Sequence, residues 1–167
     1  MESLRQLLDP TYLAALDART LDDLRSMRAE CHDLEHAVSY YRRLAQGRIE
    51  ILDAERSRRD RGGSLEDLVA DLPRILGAEP GRASATDARI ASAETPPIEL
   101  VWTDGRQELV ADNTLANLPG LDDEELSRAT DDLREFEREL SDVRRELHGV
   151  LDALDREVAE RQVAGTP

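Results

Sequence analysis

The sequence predicts a mainly α fold: two long helices in an antiparallel coiled coil, with short N-terminal helices and a central insert. Three observations lead there. Charged residues make up 35% of the chain and aromatics only 3%, too few rings for a dense globular core but suited to long helices packed along a seam. Two stretches carry apolar residues at alternating spacings of three and four, the heptad pattern of a coiled coil. Each stretch has about 40 residues, or about 60 Å of helix at 1.5 Å per residue, and neither can leave its apolar stripe in water.

Residues 1–19 form an N-terminal segment. Residues 2–8 suit a short helix, and Asp9-Pro10 offers an N-cap and first helical position for a second one through Leu16. Leu4, Leu7, Leu8, Tyr12, Leu13 and Leu16 give this segment too much apolar surface for a free tail. It folds back on the long helices or docks on a partner. The first long helix takes residues 20–60. Thr20 is its cap, and Asp22 and Asp23 stand in its first turn, where carboxylates suit the helix dipole. Its seam runs Leu24, Met27, Cys31, Leu34, Val38, Tyr41, Ala45, Arg48 and Leu52, broken by Arg48 alone. Arginines and then glycines, in ERSRRDRGG, mark its end.

Residues 61–120 are a connector of different character. Residues 64–78 read as a short amphipathic helix in which Pro73 is a break point. Residues 79–97, rich in Pro, Gly, Ala and Ser, read as a loop. In IELVWTDGRQELVA two apolar runs flank Asp104-Gly105, a turn signal that predicts a β-hairpin, with Trp102 as a packing anchor. A lone hairpin is marginal, so it leans on something else. The second long helix takes residues 121–162, with the acidic DDEE in its first turn. Its seam is Leu126, Ala129, Leu133, Phe136, Leu140, Val143, Leu147, Val150 and Leu154. Residues 163–167 are a tail.

The net charge is −15, which argues against general attraction to nucleic acid and favours a basic protein partner. Every basic residue is Arg, whose planar fork matches phosphate and guanine edges. The single cysteine, Cys31, falls on the seam and reads as a small buried residue. One cysteine allows no internal disulfide, which suits a reducing cytoplasm. No apolar run reaches the length of a membrane span, and MESLRQLLDP is not a signal peptide. The expected location is the cytoplasm.

The two helices share more than a seam. LEHAVSYYRRLAQGRIE (34–50) and FERELSDVRRELHGVLD (136–152) align without a gap and carry one frame, Glu-x3-Ser-x2-Arg-x3-(Gln/His)-x3-(Glu/Asp). The first copy is Glu35, Ser39, Arg42, Gln46 and Glu50. The second is Glu137, Ser141, Arg144, His148 and Asp152. On a helix these steps keep all five side chains within an arc of roughly 80°. Each follows an apolar seam residue, so both helices carry a polar stripe on the shoulder of the seam. Antiparallel pairing brings the two stripes to one level as similar half-sites. Polar residues flanking a coiled-coil seam are also common without a ligand.

The chemistry of the stripe narrows its use. Carboxylates on facing helices can hold two metals, but that arrangement wants Glu-x2-His spacing, and here an Arg at the centre of each stripe repels a cation. No metal is expected. No activated nucleophile or coupled acid–base pair is evident, so an enzyme is not expected. A nucleotide fits better: guanine offers O6 and N7 to an Arg fork, and its N1 and exocyclic amine can donate to a carboxylate. Gly47 and Gly149 stand at matching places, where an interior helix glycine costs about 1 kcal/mol relative to Ala. They leave room for a close ligand or for close helix packing.

SYYRRLAQGRIEIL, the paired frames and the upstream DPTYLAAL resemble the RsiG-like anti-sigma factors of actinobacteria. In that family an antiparallel helical pair carries one frame per helix, E-x3-S-x2-R-x3-Q-x3-D, and binds cyclic-di-GMP. The loaded protein holds a sporulation- or motility-type sigma factor away from RNA polymerase. The resemblance covers both long helices and the N-terminal segment, not clearly residues 61–120. It implies that all ten frame residues contact cyclic-di-GMP. Glu50 stands where the family has Asp, a longer carboxylate. His148 stands for Gln, which loses the amide's paired donor and acceptor. Arg43 and Arg145 match each other outside the frame and could meet phosphates. Two alternatives stay open at this point: a ligand-free coiled-coil scaffold, and a dimer in which each chain contributes one helix.

Overall fold

The computed structural model describes residues 2–9, 11–14, 16–77, 109–110, 115 and 117–164. The expected loop at 79–97, Trp102 and the Asp104-Gly105 turn of the expected hairpin lie outside the described residues, while Leu109 and Val110 of its second run lie in a 3-10 turn and not a strand. The fold is mainly α. Helix α1 spans Glu2–Leu7, α2 Leu21–Arg61, α3 Leu65–Gly77 and α4 Asp123–Ala164, with 3-10 turns at Leu16–Ala18 and Leu118–Gly120.

The three longer helices start in the same way. In α2 the Asp23 amide donates to Thr20 Oγ1 at 3.1 Å while the Thr20 amide donates to Asp23 Oδ2 at 3.0 Å. Ser64 and Asp67 repeat this reciprocal pair before α3, and Asp122 and Glu125 before α4. Each is a capping box, which satisfies two of the amides a helix start leaves unpaired. Helix α2 stops at Gly62, whose φ of 64° is left-handed. The Gly63 amide then donates to the Arg58 carbonyl and the Gly62 amide to that of Arg59, both at 3.0 Å, the Schellman closure. Pro73 does not break α3. It is exposed, on the side where water can replace the helical bond that proline removes.

Among the described residues, 11–14 make turns where a second short helix through Leu16 was expected, and Leu16–Ala18 form a 3-10 turn. Asp9 accepts from the Thr11 amide at 2.8 Å, and the amides of Tyr12 and Ala14 donate three residues back, to Asp9 and Thr11. These are successive turns, followed by the 3-10 turn.

The described residues fall into two units. The first holds 2–40 and 140–164. In it α2 and α4 run antiparallel: as α2 advances through Arg28, Cys31 and Glu35, the contacted residues on α4 fall through Asp155, Leu147 and Arg144. Leu24, Cys31, Leu34, Val38, Leu140, Leu147 and Leu154 are buried along the seam, joined by Leu4 and Leu7 of α1. The N-terminal segment therefore folds back within this unit, and Arg161 donates to the carbonyls of Leu16 and Arg19.

The second unit holds 41–77 and 117–139 with residues 109–110 and 115. Its two long-helix segments are again antiparallel, with Arg42 on Glu137, Asp53 on Arg134 and Arg59 on Asp123. Ala45, Leu52, Leu126, Leu133 and Phe136 form its seam, with Leu68 of α3 and Leu118 added. Arg48, the residue that interrupts the apolar pattern, is buried all the same.

Candidate functional site

The frame residues form two polar clusters, one in each unit, and both are built by exchange between helices. In the first unit Arg144 Nε of α4 donates to Glu35 Oε1 of α2 at 2.9 Å and to Ser39 Oγ at 3.0 Å. Ser39 Oγ donates in turn to Glu35 Oε1 at 2.7 Å. His148 Nε2 lies 3.2 Å from the same oxygen, and a carboxylate partner makes that nitrogen the donor. In the second unit Arg42 Nη1 reaches Glu137 Oε1 at 3.3 Å and Gln46 Nε2 reaches it at 2.9 Å. So in both units the Arg and the Gln or His of one frame meet the Glu that opens the other frame.

This arrangement follows from spacing. Arg and Gln/His are four residues apart, one turn, and project side by side. Antiparallel pairing sets them against the start of the opposite frame. Both clusters lie on the shoulder of the seam, and their exposure varies from residue to residue. Glu35 and Ser39 are buried, while Arg42, Gln46, Glu137, Ser141 and Arg144 are intermediate and His148, Glu50 and Asp152 are exposed. The structure thus brings together Glu35, Ser39, Arg144 and His148 in the first unit and Arg42, Gln46 and Glu137 in the second. The last carboxylates of the frames, Glu50 and Asp152, face solvent.

Burial alone pushes the Glu35 carboxyl up. Hydrogen bonds from Ser39, His148 and Arg144, with the Arg144 charge, outweigh it and hold Glu35 below the ordinary carboxylate range. The carboxylate therefore stays ionised and the pair stays charged. In the other cluster the Nε of Arg42 is buried without a hydrogen-bond partner among the described residues.

Gly149, next to His148, has nothing within 4 Å of where a Cβ would sit. Close packing therefore does not account for a glycine there.

A third polar cluster was not foreseen from the sequence. Glu55 is fully buried. It accepts from Arg58 at 2.7 and 2.8 Å and from Arg59 at 2.6 Å. Arg59 continues to Asp123 and to the Leu118 carbonyl. Continuing the seam three residues past Leu52 lands on Glu55, with arginines three and four residues on; that was the available signal. The cluster ties the end of α2 to the start of α4 within the second unit. A shallow cleft nearby, lined by Ser57, Arg58, Arg61, Asp67 and Asp71, contains no frame residue.

Among the described residues, no group of three or more His, Cys, Asp or Glu side chains is placed to hold a metal ion. Cys31 is buried with its Sγ 3.7 Å from the Leu147 carbonyl, and burial pushes its thiol up to about 12, which makes it a packing residue and not a nucleophile. No helix among the described residues is long and apolar enough to cross a membrane.

The chain belongs to the RsiG-like family, whose model matches residues 10–76 and 112–167. That span takes in α2, α4 and all of α3 but its last residue, and membership implies an anti-sigma-factor role, which is regulatory and not enzymatic. A comparison with curated proteins gives no match.

Proposed function

We propose that this chain is a cyclic-di-GMP-dependent anti-sigma factor, which in its loaded form keeps a sporulation- or motility-type sigma factor from RNA polymerase. One observation carries the reading: each unit joins an Arg fork and a carboxylate across α2 and α4, out of a frame that recurs on both helices. Guanine presents the complementary edges, acceptors at O6 and N7 for Arg and donors at N1 and its exocyclic amine for Glu. Glu35, Ser39, Arg42, Gln46, Glu137, Ser141, Arg144 and His148 line the two half-sites, with Glu50 and Asp152 at their outer ends. The open helix surface at Gly149 suits a flat ligand lying close.

A ligand held by both helices ties them together. A sigma factor that prefers the tied form then favours ligand binding, and the ligand favours sigma to the same extent. The chain's negative charge suits the basic, DNA-facing surfaces of such a partner.

The rival reading, a ligand-free helical pair, draws on the same ion pairs, because Arg and Glu already satisfy each other. The test is a calorimetric titration with cyclic-di-GMP, with GTP and cyclic-di-AMP as controls, and then sigma capture with and without ligand. Selective binding and ligand-dependent capture are the expected results. Capture that ignores ligand, with no heat on titration, would leave the scaffold.

A further inference from the structure

Each half-site carries more negative charge than positive. In the first unit Arg144 is matched by Glu35, and in the second Arg42 is matched by Glu137. Asp152 and Glu50, the last carboxylates of the frames, face solvent and leave one negative charge in excess in each unit. A cyclic dinucleotide has two ionised phosphodiesters, so its phosphates call for cations from outside the frames.

The same helix faces supply them. Three residues past each last carboxylate stands an aspartate, Asp53 after Glu50 and Asp155 after Asp152. An arginine of the opposite helix holds each one. In the first unit Arg28 Nε of α2 lies 2.5 Å from Asp155 Oδ1 of α4. In the second Arg134 Nη2 of α4 donates to both oxygens of Asp53 of α2 at 2.9 Å, with Asp131 of its own helix at 3.8 Å. Arg28 stands seven residues before Glu35 and Arg134 three before Glu137, two turns and one turn away on the same side of the helix. Both pairs are open to water, with side chains 46% and 49% exposed in one and 42% and 40% in the other. An ion pair that open contributes little to stability, so a phosphate can take the arginine at small cost and offers it a matching fork. Arg43 and Arg145 are placed less well. Each follows its frame Arg by one residue, about 100° round the helix, and Arg145 pairs with Asp142 of its own helix.

Resting on the cyclic-di-GMP reading above, we propose that Arg28 and Arg134 are the phosphate contacts of the two half-sites. Asp155 and Asp53 hold them until ligand arrives. On binding, each guanidinium exchanges its aspartate for a phosphodiester, and the aspartate turns to solvent. The aspartates therefore compete with the ligand for the arginines.

Calorimetric titration with cyclic-di-GMP at two salt concentrations tests this in the full chain, with folding checked by circular dichroism. Arg28→Gln and Arg134→Gln are each expected to weaken binding by about tenfold, the scale of a lost charged hydrogen bond, and to reduce its salt dependence. Asp155→Asn and Asp53→Asn are expected to tighten it severalfold. Asp142→Asn removes a charge of the same sign beside Arg145 and should leave affinity near wild type. If each ion pair only braces the helices, its Arg and Asp variants weaken binding alike, and that result would overturn the assignment. So would unchanged affinity in both Arg variants, or tightening by Asp142→Asn as large as that by Asp53→Asn. Each of these leaves the ligand reading standing. No binding by the folded wild type would overturn both.

Discussion

Arg144 of α4 and Glu35 of α2 form a 2.9 Å ion pair in which the carboxylate is almost wholly buried. Such a pair resists the loss of one partner more than its net contribution suggests, because the survivor stays desolvated and unmatched. Arg144→Ala is expected to lower stability by about 1–3 kcal/mol, read as a fall in urea midpoint. Helix content by circular dichroism at room temperature should stay near wild type. The double variant Arg42→Ala with Arg144→Ala is expected to lose cyclic-di-GMP binding; wild-type affinity in that variant would rule out this site.

Acid sensitivity has a definite sign. Glu35 and Glu55 both have folded pKa values below the ordinary 4.5. For Glu55 the hydrogen bond from Arg58 is the main cause, opposed by burial and helped by Arg59. A depressed carboxylate contributes stability that is complete above about 4.5 and is lost as pH falls through the folded value. Urea midpoints should therefore hold on the neutral side and drop below about pH 4.5. Glu35→Gln and Glu55→Gln should lower the neutral midpoint and flatten that drop. An unchanged acid profile in both variants would contradict the assignment.

Cys31 should be unreactive in the folded chain. Its thiol is buried and pushed up to about 12, so thiolate is scarce at neutral pH. Iodoacetamide is expected to label it in denaturant and to leave it untouched in buffer, as followed by intact mass. Rapid labelling of the native protein would show that the seam opens at this level.

Gly149→Ala separates stability from binding. The added methyl meets no neighbour within 4 Å, so helix propensity alone should stabilise α4 by up to about 1 kcal/mol. If the ligand lies close to this surface, the same methyl weakens cyclic-di-GMP binding. A higher melting temperature with lower affinity is the expected pair of results. Raised stability with unchanged affinity would remove Gly149 from the ligand surface.

The helix starts can be checked one at a time. Thr20→Ala removes one half of the α2 capping box and should cost about 1 kcal/mol. Asp122→Ala should cost a similar amount at α4. Thr20→Ser should restore most of the loss, which a purely packing role for Thr20 would not allow.

Much of the fold was legible because its causes are local and periodic. The three-four spacing from Leu24 to Leu52 and from Leu126 to Leu154 named the seam. Thr20 and the acidic run at residues 122–125 named the starts, and Gly62 the stop. Sequence also set the phase of each polar stripe, since helix geometry alone puts Glu35 beside Ser39 and Arg144 beside His148. At residues 11–14 the described chain makes turns where pattern reading gave helix. Where a charge occupied a seam place, as at Glu55, it stopped too early, because only arginines close enough to neutralise that charge permit its burial. Which frame meets which was decided by tertiary structure alone. The antiparallel register sets Arg144 and His148 on Glu35, and Arg42 and Gln46 on Glu137. It turns Glu50 and Asp152 to solvent. Periodicity fixes directions around a single helix, whereas distances across two depend on how the seam side chains interlock.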